Sequence, residues 1–427
     1  MNILLLGSGG REHAFARSIS QSNMCSQLFI TPGNPGTAQH GKNIPIGVTD
    51  FEAIKKCCLE NKIELVVVGP EDPLVNGIYD FFISDSELKS IPVIGPSKDA
   101  AQLEGSKAFA KEFMLKHHIP TAAYQSFDAS RIEEGLVFIR TLITPVVLKA
   151  DGLAAGKGVL ICQTLDEAEE EFQNMLHGKF GAASERVVVE EFLHGTEMSV
   201  FVLTDGIDYL LLPTAKDYKR IGEGDTGLNT GGMGAISPVP FADDVLMKKI
   251  VMRMIRPTID GLQQDKLVYK GFIYFGLMIV HNEPFMIEYN CRMGDPETEA
   301  VLPRIESDLV ELFFAVANEK LNEKKITISS KHCATIVLTS GGYPEYYEKG
   351  KTINGIDSIN DSIVFHAGTE LKNGELQTSG GRVLAVTSLG NTLDEALLIS
   401  NTNAEKIQFD KKYFRRDIGF DVLNLKN

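Results

Sequence analysis

Residues 149–158 (KADGLAAGKG) have the composition of a loop that binds an anion. Their glycines allow backbone N–H groups to approach a phosphate closely, and their two lysines add positive charge. A Walker A loop would need a glycine in place of Asp151 and a hydroxyl in place of Gly158, so this is a different kind of phosphate loop. The alternative is a flexible hairpin whose lysines are incidental. The candidate phosphate-binding residues of the segment are Lys149, Gly152, Gly156, Lys157 and Gly158.

Residues 284–292 (PFMIEYNCR) predict a strand that carries oxygen ligands. Alternation along a strand separates the apolar side chains from the polar ones. The apolar face would consist of Phe285, Ile287 and Tyr289, and the polar face of Glu288 and Asn290. Carboxylate and amide oxygens suit Mg²⁺, and Arg292 follows where it could hold a developing acyl phosphate. A solvent-facing strand edge is the alternative. The turn at 294–297 (GDPE) is expected to begin the next helix at the same cleft.

Residues 190–192 (EEF), with Glu197 shortly after them, form a third candidate group. A strand that ends there could contact an adenine edge through its main chain and a ribose through a carboxylate. Surface glutamates are common, so a solvated strand end is the alternative reading of this group. The glycines at the N-terminus (GSGG, 7–10) suggest a dinucleotide-binding oxidoreductase, but Glu12 occupies the third-glycine position of that motif and excludes it.

The elements that must position these residues fall into four parts. Strands and helices alternate over residues 1–100, which predicts a parallel sheet with ligands at the carboxyl ends of its strands. A small α+β unit over about 121–189 would carry the glycine-rich flap. Long strands at 271–280 and 284–290 and a last unit at 328–427 follow, and the polar, glycine-rich stretch 219–238 reads as a long functional loop. Thr49, Thr164 and Thr392, each with Glu three residues later, are predicted to begin helices.

Composition excludes several function classes. The net charge of −15 argues against a nucleic-acid-binding protein, which needs a basic surface. The six cysteines include no CxxC pair and predict free thiols in a reducing compartment. The N-terminal apolar run ends at Gly7 without a basic region before it, and no run is long enough to span a bilayer. We therefore expect a cytoplasmic protein without membrane contact.

Read together, the three groups occur in the order and spacing of the ATP-grasp superfamily. The whole chain then resembles one of its families, the phosphoribosylamine–glycine ligases. The segments that carry this resemblance are GGREHA (9–14), PGN (32–34), GPE (69–71), QLEGSK (102–107), KADGLAAGKG (149–158), DTGLNTGGMG (225–234), NCRMGDPET (290–298) and GGR (380–382).

The resemblance implies an α/β and α+β protein with ATP-grasp architecture. The expected parts are an N-terminal parallel-sheet (pre-ATP-grasp) domain at 1–102, a central ATP-grasp domain at 103–121 plus 190–327, a flap subdomain at 122–189 and a C-terminal α+β domain at 328–427. It also implies ligation of glycine to 5-phosphoribosylamine with ATP, through glycyl phosphate, in purine biosynthesis. Mg²⁺ or Mn²⁺ and these small molecules are the expected ligands, and a monomer or weak dimer is the expected state.

Site roles follow from the resemblance residue by residue. The expected ATP contacts are Lys107, Lys149, Gly152, Gly156, Lys157, Gly158, Glu190, Glu191, Phe192 and Glu197. The expected contacts to glycine and the phosphosugar amine are Gly9, Gly10, Arg11, Glu12, Asn34, Glu71, Asp217, Thr230, Gly231, Gly232, Met233, Arg292, Gly294 and Asp295. Catalytic roles fall to Arg292, Lys149 and Asp217, and metal ligation to Glu288 and Asn290.

The chain departs from the family pattern in three respects. The segment expected as QDHKR reads KDYKR here, which places Lys216 and Tyr218 beside Asp217. Leu228 stands where proline is common. The strand at 272–280 has no carboxylate for a second metal ion, so that Glu288 would bridge two ions or one ion would rely on nucleotide oxygens. A different ATP-grasp ligase or carboxylase is the nearest alternative, and a non-catalytic nucleotide sensor would lack the lysines, Glu288 or Asn290.

Overall fold

The computed structural model describes residues 1–153 and 158–423. Its N-terminal part is a parallel sheet with helices on both faces. Most of its strands are short and apolar because they are buried on both sides, whereas the edge strand at 42–43 is polar and partly exposed. The strands are β1 (Asn2–Gly7), β2 (Gln27–Pro32), β3 (Lys42–Asn43), β4 (Leu65–Val68) and β5 (Val93–Pro96). The helices are α1 (Gly10–Ser20), α2 (Phe51–Glu60), α3 (Glu71–Val75) and α4 (Ile78–Ser84), followed by α5 (Gln102–Gly105) and α6 (Lys107–Lys116).

The flap unit has its own small core. Four antiparallel strands in the order β6-β9-β7-β8 pack against two helices, and Phe127, Phe172 and Val189 are among the buried side chains between them. The elements are β6 (Tyr124–Asp128), α7 (Ile132–Ile139), β7 (Val146–Ala150), β8 (Val159–Cys162), α8 (Leu165–Asn174) and β9 (Arg186–Glu191). The glycine-rich segment connects β7 to β8 at one end of this sheet, as the sequence predicts.

The central part extends the N-terminal sheet and is not separate from it. Strand β5 pairs antiparallel with β16 through Tyr269 and Lys270, so a single nine-stranded sheet runs through both parts. The central strands are β10 (Thr196–Thr204), β11 (Tyr209–Leu211), β16 (Tyr269–Val280) and β17 (Glu283–Asn290). The helices are α9 (Asp244–Ile250), α10 (Arg256–Gln264), α11 (Glu297–Val301) and α12 (Leu309–Ala317).

The stretch 219–238 is not the plain loop expected from its composition. It contains a hairpin and a strand, and the strand belongs to the C-terminal sheet, whose order is β12-β15-β18-β22-β19. The two hairpin strands pair with each other inside the segment, whereas the partners of the third strand lie outside it, at Lys216–Asp217 and at 333–336, so the segment's own sequence does not reveal that strand. The strands here are β12 (Lys216–Asp217), β13 (Arg220–Gly222), β14 (Thr226–Asn229) and β15 (Gly234–Ser237).

The C-terminal part packs α13 on one face of this sheet around a core that includes Ile336, Leu384 and Phe414. Its elements are β18 (His332–Thr339), β19 (Ile363–His366), β20 (Thr369–Lys372), β21 (Glu375–Thr378), β22 (Arg382–Gly390), α13 (Leu393–Lys406) and α14 (Phe420–Leu423). Within residues 1–153 and 158–423, no helix is long and apolar enough to cross a bilayer.

Candidate active site

The candidate site is a cleft where the N-terminal, flap, central and C-terminal parts meet. One cavity of about 470 Å³ opens toward the N-terminal part. A second, of about 570 Å³, lies between the flap and the central sheet. The two cavities share a wall formed by Lys149, Val159, Glu190, Asp217, Lys219, Ile287 and Glu288. The two cavities are therefore adjacent compartments of one cleft.

The compartment beneath the flap has apolar walls and a polar end. Val147 and Ile161 of the flap face Met278 and Met286 of the central sheet across it. Phe192 lies at its edge, in the segment that links β9 to β10. A slot with such walls accommodates a flat ring, and exposed backbone beside it can read the ring's polar edge.

The acidic residues at the two strand ends that flank this segment, Glu191 of β9 and Glu197 of β10, differ in their environment. Glu191 accepts a hydrogen bond from the backbone N–H of Ala123 (2.8 Å), which fixes the entry to the flap. Glu197 pairs with Lys219 at 2.9 Å, at the polar end of the compartment. The charge of Lys219 has a larger effect on Glu197 than burial does, and it lowers the pKa of Glu197. The pKa of Lys219 is raised in turn, although burial opposes that shift.

Glu190 is almost completely buried, with 3% of its surface exposed. Its carboxylate pairs with Lys149 at 2.9 Å and with Lys111 at 2.9 Å. Burial favours the neutral acid, but the two ammonium groups outweigh it and lower the pKa of Glu190. Lys149 also donates to the carbonyl of Ile287 (3.3 Å), so it bridges the flap and strand β17.

The root of the flap is fixed to the start of α6. Asp151 accepts hydrogen bonds from the backbone N–H of Ala108 (2.7 Å) and the hydroxyl of Ser106 (2.9 Å). Lys107 donates to the carbonyl of Gly152 (3.2 Å), and burial lowers its pKa. Gly158 lines the first cavity, whereas Gly156 and Lys157 lie outside the described residues.

Strand β17 reaches the cleft through a β-bulge. Gly276 pairs with Glu288 and Leu277 with Met286, so Ile287 is the extra residue. The predicted alternation of Phe285, Ile287 and Tyr289 on one face is therefore wrong. Met286 and Tyr289 are buried in the core, and both Ile287 and Glu288 line the cleft. A bulge re-aims the side chains that follow it, and sequence alternation cannot reveal one.

Glu288 and Asn290 remain on the same side of the strand, as predicted, and both line the first cavity. Among the described residues, the side chain of Glu288 makes no hydrogen bond or ion pair, although its carboxylate and the Lys107 ammonium interact through their charges. With the Asn290 amide nitrogen donating to Glu104 (3.2 Å), its oxygen accepts from Arg292 (3.1 Å). No group of three or more His, Cys, Asp or Glu side chains in the described chain could hold a metal. This donor set fits a hard cation that takes its other ligands from nucleotide oxygens and water.

Arg292 is the centre of a charge network on the floor of the first cavity. It pairs with Glu104 at 2.7 Å and with Glu71 at 3.1 Å. Burial opposes ionisation of Glu71, yet Arg292 and Arg11 prevail and lower its pKa to about 2. Glu104 also accepts from the backbone N–H of Cys291 (2.7 Å). The network holds Arg292 in place before any ligand binds.

Two further carboxylates lie together between the compartments. Asp217 is 3.7 Å from Lys219, and Glu297 accepts from the hydroxyl of Ser199 (3.3 Å). Burial raises the pKa of Asp217. Burial first, and the neighbouring Asp217 second, raise the pKa of Glu297 to about 7. A pair of carboxylates that resist ionisation together is suited to an ammonium group, because a cation relieves both effects.

The loop at 230–233 closes the cleft on the C-terminal side. Gly231 lines the first cavity, and its carbonyl accepts from Arg382 (2.6 Å). Arg382 also pairs with Asp295 at 3.0 Å. Thr230 lines the second cavity, Gly232 packs on Pro296, and Gly294 lines the first. The side chain of Met233 is buried in the C-terminal core, and its expected contact with substrate stays a prediction.

At the N-terminus of α1, Glu12 acts within the protein. Its carboxylate accepts from the backbone N–H of Gly9 (2.6 Å) and from Arg11 (2.6 Å). It fills the space that a Cβ would occupy at Gly69, which is why glycine is required there. Arg11 lines the first cavity. Gly10 borders the buried Glu299.

Asn34 is also internal. Its amide nitrogen donates to the carbonyls of Ser8 (2.8 Å) and His366 (2.7 Å), and its oxygen accepts from the backbone of Gly36 and Thr37. The side chain therefore ties the N-terminal loops to strand β19. In this structure its polar atoms are used for that connection.

Several residues of the cleft are absent from the sequence-based set: Glu104, Lys111, Lys219, Tyr274, Glu297 and Arg382. Lys111 carries a usable signal, because it lies four residues after Lys107 on the same helix face. Arg382 lies in the GGR segment that carries the family resemblance. Glu104 and Glu297 likewise lie in the resemblance segments 102–107 and 290–298. Lys219 and Tyr274 come from other elements, and only the tertiary fold brings them to the cleft.

The nine-stranded sheet, the antiparallel flap and the cleft between them define an ATP-grasp protein. Family models for phosphoribosylglycinamide synthetase match the chain in its N domain (1–104), its ATP-grasp (A) domain (105–298) and its C domain (333–421). The chain belongs to the phosphoribosylglycinamide synthetase family. This confirms the predicted fold class and family.

Relatives agree with this assignment. The chain is 48% identical over 425 residues to the phosphoribosylamine–glycine ligase of Pasteurella multocida, covering 98% of each chain. It is 47% identical to the enzyme of that name from Haemophilus influenzae, again covering 98% of both. A crystal structure of phosphoribosylamine–glycine ligase from Thermotoga maritima has a TM-score of 0.85 at 34% identity, covering 98% of this chain and 100% of that one. The biotin carboxylase domain of 2-oxoglutarate carboxylase from Hydrogenobacter thermophilus shares the fold (TM-score 0.72, 16% identity, covering 100% of this chain and 94% of that one).

Proposed function

We propose that this enzyme is an ATP-dependent carbon–nitrogen ligase that joins glycine to 5-phosphoribosylamine, giving glycinamide ribonucleotide, ADP and phosphate in purine biosynthesis. One observation carries the proposal: a single cleft connects a nucleotide-shaped slot to a compartment with a fixed arginine and paired carboxylates. The two compartments meet at Lys149, Asp217 and Glu288, where a transferring phosphoryl group would lie.

The nucleotide is assigned to the compartment beneath the flap. The base would lie between the flap residues and the two methionines, beside the backbone of 190–192, with Glu197 near the ribose. Lys107 and Lys149 supply positive charge for the phosphates, together with the backbone of the glycine-rich segment. Mg²⁺ or Mn²⁺ is assigned to Glu288 and Asn290, and when bound it would neutralise phosphate charge.

The other compartment is assigned to the two remaining substrates. Asp217 and Glu297 are placed to receive the ammonium of glycine, and Arg292 its carboxylate. Arg11 and the N-terminus of α1 are assigned to the 5′-phosphate of the amine, and Glu71 to its ribose. Gly231, Gly294 and Asp295 would complete the wall.

The proposed reaction has two steps. A carboxylate oxygen of glycine attacks the γ-phosphorus of ATP, ADP leaves, and glycyl phosphate forms. The amine nitrogen of phosphoribosylamine then attacks the carbonyl carbon, loses a proton, and phosphate leaves. Phosphorylation is needed because a carboxylate is a poor electrophile. Charged groups held in fixed positions, such as Arg292, stabilise the developing charge, and the closed flap excludes water from the acyl phosphate.

A cytoplasmic location is part of the proposal. All six cysteines lie in the described part of the chain and all are free, which fits a reducing compartment. The ligands are small molecules, and the expectation of a monomer or weak dimer stays a prediction that size-exclusion chromatography with light scattering can check.

Release of ADP with a panel of carboxylic acids tests the proposed substrates. The assay compares glycine, D-alanine and bicarbonate, each with and without phosphoribosylamine generated in the reaction. We expect sustained ADP release only with glycine and phosphoribosylamine together. Turnover with bicarbonate or D-alanine, and none with glycine and the amine, would identify a different ATP-grasp ligase or carboxylase.

A further inference from the structure

Lys111 borders the first compartment of the cleft, but its side chain is almost completely buried. It occupies helix α6, one turn after Lys107, and only 2% of its surface is exposed. Its ammonium group is 2.9 Å from Glu190 and donates to the hydroxyl of Thr121 at 2.7 Å. Burial of a lysine is unfavourable, and here it lowers the pKa to about 8 even though Glu190 opposes the shift. Because burying this ammonium group is unfavourable, we looked for what its charge does in the folded protein.

The answer lies in the charge count around Glu190. One buried carboxylate has two ammonium partners, Lys111 on α6 and Lys149 on β7. The two lysines are not equivalent. Lys149 lines both compartments, whereas Lys111 borders only the first and is held by Thr121, which itself donates to the carbonyl of Met286 (2.6 Å).

A buried ion pair that loses one partner leaves an uncompensated charge, which is strongly unfavourable. If Lys149 were the sole partner of Glu190, moving its ammonium group to a nucleotide phosphate would leave that carboxylate bare. We propose that Lys111 is a positioning residue that keeps Glu190 paired, so that Lys149 is free to transfer its ammonium group to the nucleotide phosphates. This inference rests on the nucleotide site of the proposed function, but not on the identity of the acid or the amine.

The first experiment measures MgADP binding by calorimetry in the full-length protein. Lys111→Met is expected to weaken MgADP binding by about tenfold or more, because Glu190 then retains Lys149. The matched control is Lys116→Met on the same helix, whose side chain is 62% exposed and pairs with Asp265, and which should bind as the wild type does. In turnover assays the KM for ATP should rise while the KM for glycine is unchanged.

A double variant separates this role from simple packing. Adding Glu190→Gln to Lys111→Met removes the charge that Lys149 would otherwise have to neutralise. MgADP affinity should therefore recover relative to Lys111→Met alone. Wild-type affinity in Lys111→Met, or no recovery in the double variant, would overturn the proposal.

Two further measurements keep the test decisive. If Lys111→Met does not fold, Thr121→Val, which removes the second partner of Lys111 together with the hydrogen bond to the Met286 carbonyl, should weaken MgADP binding in the same direction by a smaller factor. Unchanged binding in that variant would count against the proposal. Because the readout is nucleotide binding, wild-type protein that binds MgADP but does not ligate glycine would refute the proposed substrates without affecting the role of Lys111.

Discussion

At the scale of single residues, the cleft holds two kinds of charged group. Arg292 is paired with both Glu71 and Glu104 before any ligand arrives, so its geometry is set by the protein. Glu288 has no such partner among the described residues, and Asp217 and Glu297 resist ionisation together. The first kind positions ligands. The ionised form of the second kind is stabilised further when a bound ligand or metal brings a positive charge.

Glu288→Gln is expected to lower turnover by at least about a hundredfold, because the lost charge faces the metal and the transferring phosphoryl group. Thermal stability should change little, since Glu288 makes no ion pair in the described structure. ADP release and the melting temperature measure the two effects. Glu283→Gln on the same strand is the control, because Glu283 pairs with Lys249 and Arg253 away from the cleft and should leave turnover intact. Normal activity in Glu288→Gln would remove this residue from the site.

Glycine binding should depend on pH through the Asp217–Glu297 pair. Because burial and Asp217 raise the pKa of Glu297 to about 7, its carboxylate form is fully present only above that pH. If this form receives the ammonium of glycine, kcat/KM for glycine rises with pH through about 7 and is lost as the pH falls. The measurement is a pH profile of kcat/KM for glycine. Glu297→Gln should lower kcat/KM and flatten the rise, and an unchanged rise in that variant would assign it to another group.

At the scale of elements, the C-terminal segment holds the hairpin of β13 and β14 beside the nucleotide compartment. Arg415 is completely buried and donates to the carbonyl of Arg220 (3.1 Å) while pairing with Asp225 and Asp417. Asp417 in turn accepts from the backbone N–H of Gly224 (2.7 Å). The hairpin is therefore fixed by a segment almost two hundred positions later in the chain.

Arg415→Met is expected to lower the free energy of unfolding by about 2–3 kcal/mol, because it removes charge-assisted hydrogen bonds. The hairpin should also become more sensitive to limited proteolysis. Arg416→Met is the matched control, since the Arg416 side chain is largely exposed and forms its ion pair with Glu405 on the surface. Urea unfolding and mass mapping of the cleavage sites test both, and equal behaviour of the two variants would contradict this role for the segment.

Of the three helix starts predicted from a threonine followed by a glutamate three residues later, two are confirmed and one is wrong. Thr164 and Thr392 cap α8 and α13 as expected, accepting from the backbone of Glu167 and Glu395. At α2 the prediction of Thr49 is wrong, because the next residue, Asp50, caps the helix by accepting from Ala53 (3.1 Å). Both side chains can cap, so composition alone does not choose between adjacent positions.

Long-range pairing set the limit of what the sequence could predict. The sequence predicts that the N-terminal strands are parallel, because apolar strands alternate there with helices. It does not predict the antiparallel joint between β5 and β16 or the bulge at Ile287, because each depends on pairing with a partner strand. The same holds for the site: the lysines of the flap and Glu288 have local signals in the sequence, whereas Lys219 and Tyr274 are brought to the cleft only by the tertiary fold.

At the scale of the whole molecule, ligands should stabilise all parts together, because the cleft touches each of them. MgADP at a hundredfold its Kd is expected to add about 2.7 kcal/mol to the stability of the folded state. The measurement is the melting temperature with and without MgADP. Glu288→Gln should reduce the part of the shift that requires Mg²⁺. An equal shift with ADP in the absence of any divalent cation would contradict the metal assignment.

The claim that the enzyme activates glycine as an acyl phosphate is tested most directly by oxygen transfer. Glycine labelled with ¹⁸O in its carboxyl group is turned over with ATP and phosphoribosylamine, and the inorganic phosphate is analysed by mass spectrometry. The proposed chemistry predicts that each phosphate carries a single ¹⁸O atom from glycine, because the oxygen that attacks phosphorus leaves with it. Phosphate without label, formed at the same rate as the ligated product, would show that glycine is not phosphorylated and would contradict the account.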